Sequence, residues 1–238
     1  MKNFQQRKKD VLSKLEKSSL GKWDEKIVSL CDKINSLENY YTTSSCSGRI
    51  LLMIDQEKKA ENLFLFVSHD KIKFDNLKNI LKEIVSPSAR NNFGSEIASR
   101  QISPPLNFVN ALSKLKLGET VGRKRGDNKS ERSEQNELKN KNVKFKMEPC
   151  ILHVACESLE DAEKLFEIGK NAGFKRLGII GTSHGFTFEL NSSEKLEFPI
   201  IQNKKILVDD EFLKIAVDEA NRKLEKSWMR IRKLEREI

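Results

Sequence analysis

Between Thr42 and Arg49 the chain places five hydroxyl side chains, one thiol, one glycine and one arginine in eight consecutive positions: Thr42, Thr43, Ser44, Ser45, Cys46, Ser47, Gly48 and Arg49. Hydroxyls and open backbone N–H groups suit an anionic or highly polar ligand. Gly48 allows close approach of the backbone, and the planar Arg49 guanidinium matches a carboxylate or phosphate. The competing reading is a Ser/Thr-rich turn that satisfies its own backbone. Cys46 could act as a nucleophile, but no histidine lies near it in sequence to generate a thiolate, which favours a polar or packing role.

Other side chains could move a proton. His69 follows one expected strand and His153 sits in another, so the two could converge on one site, and imidazole is the group best suited to accept a proton near neutral pH. The competing role for His153 is a hydrogen-bonded core histidine. Asp24 and Glu148 are the carboxylate alternatives, as base or as partners for sugar hydroxyls. Asp24 also stands where an N-cap would open a helix. His184 lies in a glycine-flanked turn and reads as solvated. The scattered histidines and the lack of any C-x-x-C pair argue against zinc.

The elements that must position these groups follow from periodicity. Phe4 to Leu15 reads as an amphipathic helix with a basic face, and Asp24 to Leu37 as a second, with Ile27, Leu30, Cys31, Ile34 and Leu37 on one stripe. Tyr41 to Arg49 reads as the polar loop after it. Ile50–Ile54 and Leu63–Val67 read as strands, and 75–84 as a short helix. Ser86 to Leu117 is broken by Pro87, Pro104 and Pro105, with a short helix expected at Phe108–Leu115. Gly118 to Lys146 is rich in Lys and Arg and poor in bulky apolar residues. It is expected to be largely disordered, with Arg123, Lys124 and Arg125 as its basic cluster.

Ordered structure is expected again from about Met147. Ile151–Ala155 reads as a strand. Ser158 to Asp161 reads as a capping box for a helix that ends at Gly173, with Ala162, Leu165, Phe166 and Ala172 facing the core. Leu177–Ile180, Phe186–Leu190 and Leu196–Ile200 read as strands, the last at an edge because Pro199 lacks an N–H. A long helix from Asp210 carries Leu213, Val217, Ala220, Leu224, Trp228, Ile231 and Leu234 at helical spacing. The order argues an α+β fold with a mixed sheet packed with helices. The eleven glycines contain no G-x-G pair, which removes the Rossmann cofactor fingerprint.

Composition bounds the rest. The 238 residues read as a single domain, residues 1–238, carrying the insertion at 118–146. No apolar run approaches a membrane span and no signal-peptide pattern opens the chain, so a cytoplasmic location with four reduced cysteines is expected. A net charge of +9 favours an anionic partner, with RNA the natural candidate. The bland alternative is a lysine-rich surface on every face. No exposed aromatic platform or RNA-binding module motif is evident.

Tyr41-Thr-Thr-Ser-Ser-Cys-Ser-Gly-Arg-Ile50, preceded by Asp24 and by Ile34-Asn35-Ser36, resembles the signature of the wybutosine-synthesising protein 3 family. Asn3 to Glu16 resembles its archaeal N-terminal helix, Glu148-Pro149-Cys150-Ile151-Leu152-His153-Val154 its Glu-Pro-x-Ile-Leu-His-Val strand, 158–179 the helix and strand after it, and Val208 to Glu235 its long C-terminal helix. The resemblance covers most of the chain apart from about 83–146. It implies a non-Rossmann methyltransferase. Such an enzyme carries a methyl from S-adenosylmethionine to a ring nitrogen of the tricyclic, modified guanosine 3′ of the anticodon in phenylalanine tRNA. On that footing Ser44, Ser45, Cys46, Ser47, Arg49 and Glu148 are candidates for holding cofactor or base, and His69, His153 and Asp24 for proton transfer. Two departures stand out. Residues 56–61 replace a glycine-rich connection, and Asn191 stands where the family usually has Arg. They keep open the alternative of a non-catalytic tRNA-binding module of the same fold. An adaptor that presents its C-terminal helix to another protein is a third reading, opposed by that helix's wide apolar stripe.

Overall fold

The computed structural model describes residues 3–13, 24–55, 63–86, 142–182 and 185–238. The helix expected at Phe108–Leu115, the Arg123–Arg125 cluster, the 56–61 connection and His184 lie outside the described residues. The described chain falls into two compact units: 1–49, 147–195 and 221–238 form the first, and 50–146 with 196–220 the second. The sequence reading treated the whole as one domain.

Five helices and nine strands are described: α1 (Phe4–Leu12), α2 (Val28–Ser36), β1 (Tyr40–Cys46), β2 (Arg49–Ile54), β3 (Phe64–Ser68), α3 (Phe74–Val85), β4 (Val143–Glu148), β5 (Ile151–Cys156), α4 (Leu159–Asn171), β6 (Arg176–Gly181), β7 (Phe186–Asn191), β8 (Leu196–Gln202), β9 (Lys205–Ile206) and α5 (Asp210–Glu237). The α+β class holds. The strands form two antiparallel sheets, ordered β1-β5-β7-β6 and β3-β2-β4-β8-β9, in place of the single mixed sheet expected.

In the first unit, one face of the four-stranded sheet is apolar. Leu152, Val154 and Cys156 of β5 and Phe188 and Leu190 of β7 pack with Ile27, Leu30, Cys31 and Ile34 of α2, Ala162 and Leu165 of α4, and Ile231 and Leu234 of α5. The period-2 alternation leaves Ile151 and His153 pointing to the opposite face. At one end of that face Phe4 of α1 stacks on Tyr41 with ring centroids 5.1 Å apart, and Ala155 lies with them. The α4 cap forms as expected: Ser158 accepts from the Asp161 amide while Asp161 reaches back. Gly173, at φ +93°, closes the helix through Phe174 N–H to Gly169 O, the six-to-one bond of a Schellman turn. Phe166, expected in the core, is instead at its rim, meeting Phe188 edge-on.

A buried polar chain fastens α5 to this sheet. Ser192 and Ser227, both fully buried, share a hydrogen bond of 3.2 Å, and Ser192 N–H donates to Cys150 O. Arg230 donates from Nε to Gly173 O at 2.8 Å and from Nη1 to Glu194.

In the second unit, β2 is buried on both faces, with Ile50, Leu51 and Leu52 without exposed surface, as a continuous apolar run in a covered sheet should be. Structure resumes before Met147: β4 begins at Val143, so the expected disorder to Lys146 is corrected there. Val143 and Phe145 are buried, Lys144 pairs with Asp55 at 2.9 Å, and Lys146 pairs with Glu197 at 3.1 Å. The alternation in Val143-Lys-Phe-Lys-Met147 is a half-buried strand that its basic surroundings hid. β8 lies between β4 and β9 rather than at the edge expected, and Pro199 is tolerated because β9 pairs only with Ile201 and Gln202.

Burial opposes ionisation of Glu194, but the Arg230 hydrogen bond and charge outweigh it and hold the carboxyl below its usual range. A carboxyl lowered in the folded state stabilises above its unfolded pKa of about 4.3 and loses that contribution as pH falls through the lower folded value. Glu194→Gln is expected to cost about 1.5–3 kcal/mol near neutral pH. It should also flatten the loss of stability on acidification, measured by urea midpoints from pH 7 to pH 3.

Candidate functional site

The polar stretch expected as a loop is mostly strand. Tyr40 to Cys46 pairs antiparallel with β5, and only Ser47 and Gly48 form the turn into β2. Tyr and Thr are strong strand formers, and each hydroxyl faces a definite side once the strand is paired. Thr42 donates its N–H to Asn35 Oδ1 at 2.7 Å, tying the strand to α2. The register shifts between Thr42 and Ser44, so Thr43 is an extra residue there. Thr43 and Ser44 are exposed as a result, Ser45 and Cys46 half-buried.

Asp24 is not the N-cap of α2. The helix starts at Val28 with Ile27 in the cap position and no side-chain cap. The Asp24 carboxylate is turned to the signature instead. Its Oδ2 accepts the Ser47 N–H at 2.7 Å, and its Oδ1 accepts the Ser47 hydroxyl at 2.9 Å and the Lys26 N–H at 3.3 Å. Ser47 itself has no exposed surface. Gly48 follows at φ +102°, where an added Cβ would stand 3.1 Å from both Glu148 O and Leu224 Cδ1. Two independent reasons therefore require glycine there: the backbone angle and the space.

Beyond the turn, Arg49 Nε donates to Glu148 Oε2 at 2.7 Å, and both side chains keep roughly a third of their surface in solvent. Both residues stand out in the sequence, but their pairing does not. The β2–β4 neighbour relation, invisible in the letters, makes it.

On the open face of the sheet β5 brings His153 between Ser44 of β1 and Glu189 of β7, its cross-strand partners on either side. His153 Nε2 lies 2.9 Å from Glu189 Oε2, both half-exposed. Glu189 was missed in the sequence. Its only signal was an acidic residue on the polar side of an alternating strand. His69 belongs to the second unit, directly after β3, beside a turn in which Asp70 N–H donates to Ser68 Oγ. Asn191 is half-buried with its Oδ1 lacking a hydrogen-bond partner.

The four cysteines carry no disulfide. Burial pushes the Cys150 and Cys156 thiols up to about 12. Cys31 is also buried, and Cys46 alone among the four is half-exposed. Among the described residues no helix is long and apolar enough to cross a membrane.

Three outcomes follow from this geometry. Asp24→Ala should cost about 1–3 kcal/mol by stranding the Ser47 amide, and Gly48→Ala a similar amount, about 1–3 kcal/mol, from backbone strain. Both are read as shifts of the denaturant midpoint. Titration of the native protein with a thiol reagent should modify Cys46 rapidly and the other three only on unfolding, identified by peptide mass.

The family model for methyltransferase TYW3 matches residues 6–238. A tRNA(Phe) 7-((3-amino-3-carboxypropyl)-4-demethylwyosine(37)-N(4))-methyltransferase 2 of Pyrococcus abyssi is 31% identical over 90% of this chain and 79% of its own length. A tRNA wybutosine-synthesizing protein 3 homolog of Danio rerio is 28% identical over 97% of this chain and 72% of its own. Among solved structures, the PH1069 protein from Pyrococcus horikoshii matches with TM-score 0.68 at 27% identity, over 98% of this chain and 93% of that one. With nearly its whole length matched, this chain belongs to the methyltransferase TYW3 family.

Proposed function

We propose that this chain methylates N-4 of the 7-aminocarboxypropyl-demethylwyosine base in phenylalanine tRNA, the reaction for which its archaeal relatives are named, with S-adenosylmethionine as donor. The observation that carries the reading is the family match across residues 6–238. The preserved signature strand and turn, with every residue from Thr42 to Arg49 in a defined position, support it.

The donor set fits a zwitterionic cofactor. Arg49 offers a guanidinium for a carboxylate, Glu148 a carboxylate for an ammonium or a ribose diol, and Thr43 and Ser44 exposed hydroxyls. S-adenosylmethionine supplies an electrophilic methyl group on a sulfonium. Arg49 and Glu148 then bind and orient, each holding the other's rotamer. Ser47 and Asp24 fix the turn from which Arg49 projects, and so act as scaffold.

Attack by a ring nitrogen requires that its N–H proton leave. The new bond is N–C, the broken bond is C–S, and the electron pair of that bond stays on sulfur. His153 is the acceptor proposed for the proton: it is half-exposed on the open face of the sheet and flanked by Ser44. Asp24, with both oxygens already accepting hydrogen bonds, is less suited to that work.

The test is transfer of labelled methyl to phenylalanine tRNA that carries the demethylwyosine precursor. The wild type should methylate N-4, identified by nucleoside mass spectrometry. His153→Ala should lower kcat by at least about 100-fold. Arg49→Ala should weaken S-adenosylmethionine binding by about tenfold or more in calorimetric titration. A folded wild type that leaves the precursor unmethylated would sink the proposal and favour a non-catalytic binding module.

A further inference from the structure

We infer that Glu189 is a positioning residue for His153, fixing the imidazole so that Nδ1 is left as the proton-accepting nitrogen. The inference rests on the proposed role of His153 and extends it to a residue with no place in the signature motif.

β5 and β7 pair antiparallel without a shift from Ile151↔Asn191 to Cys156↔Phe186, and His153 stands directly opposite Glu189. Their side chains emerge on the same face, where His153 Nε2 and Glu189 Oε2 are 2.9 Å apart. A carboxylate at that distance accepts the Nε2 proton. In neutral imidazole one nitrogen then carries hydrogen and the other a lone pair, so the bond selects the tautomer.

The same bond fixes the orientation of the ring. Both effects need the carboxylate, not merely a side chain of that size. The charged and titratable groups around the ring are few. β7 contributes Glu189, β1 contributes Ser44 opposite, with Cys46 opposite Ile151 and Tyr41 opposite Ala155, β6 places Arg176 opposite Asn191, and β5 itself contributes only Ile151 and Ala155 on that face. At the Gly185 end, α1 brings Arg7, whose Nη2 lies 3.5 Å from where a Gly185 Cβ would stand. Glu189 is thus the carboxylate in contact with the ring among the described residues.

Three readouts test this on the full chain. The first is the tautomer of His153 by nitrogen-15 imidazole spectra, which needs no substrate. The wild type should show a protonated Nε2 and a bare Nδ1, and Glu189→Gln should show a mixture. The second is steady-state transfer to precursor tRNA. Glu189→Gln and Glu189→Ala should lower kcat at least about tenfold with KM nearly unchanged, whereas a residue that holds substrate would raise KM. The third is rescue: Glu189→Asp, which keeps the charge, should recover more activity than Glu189→Gln. Thermal unfolding confirms that each variant is folded.

A single Nε2-protonated tautomer that persists in Glu189→Gln, or an unchanged kcat in that variant, overturns the inference. His153→Ala separates this from the parent reading. If that variant keeps full activity, the proton-acceptor assignment itself fails. If it is inactive while the Glu189 variants are not, only the positioning role fails.

Discussion

The carboxylate of Asp24 is the interaction on which the signature depends. It accepts two bonds from Ser47 and one from Lys26, so one side chain holds a turn that lies 23 residues downstream. Without it a fully buried serine would lose partners for both its amide and its hydroxyl, a loss that desolvation makes expensive. Gly48 then reverses the chain in a conformation that side chains rarely adopt, against Glu148 O and Leu224. Only after those two constraints is the start of β2 set, and with it the point from which Arg49 meets Glu148. The order of dependence runs from a buried polar bond to a backbone angle to an ion pair at the surface.

A second constraint lies behind the sheet. Ser192, Ser227 and Cys150 occupy buried positions that apolar residues would ordinarily fill, and Glu194 with Arg230 adds a charged pair. Such groups stabilise little in net terms, but each has a directional partner. They join the ends of β5 and β7 to α5 in one arrangement. A one-residue slip between β5 and β7 would turn His153 or Glu189 into the apolar layer, where Val154, Phe188 and Leu190 now sit. The His153–Glu189 contact therefore exists at one register only.

Helices were legible in the sequence because their periodicity survives without context. The α4 capping box, the Gly173 stop and the α5 stripe from Leu213 to Leu234 all read correctly from neighbouring letters. The signature stretch was misread as a loop because hydroxyl-rich composition suggests turns, whereas Tyr40, Tyr41, Thr42 and Thr43 are good strand residues once β5 is beside them. Asp24 was read as a cap because the local rule is sound. A tertiary partner, Ser47, outcompeted it. The start of β4 was hidden by Lys144 and Lys146, whose charges are met by Asp55, just past β2, and Glu197 of β8. The candidate residues were nameable from the letters. Their pairings were not, since Arg49 to Glu148 and His153 to Glu189 are relations between distant segments.

The absence of any G-x-G pair has a physical consequence for how such a site can work. Folds that cradle a cofactor with a glycine loop and a helix N-terminus recognise it mainly through backbone groups, which most substitutions leave in place. Here the candidate groups are side chains on strands: Ser44 on β1, Arg49 on β2, Glu148 on β4, His153 on β5 and Glu189 on β7. Each is held by its own strand's register and by its cross-strand partners. The candidates lie on five strands, so their relative placement is a property of sheet geometry rather than of a loop. That places the cost of precision in the buried bonds of Asp24, Ser192, Ser227 and Arg230, which keep those strands where they are.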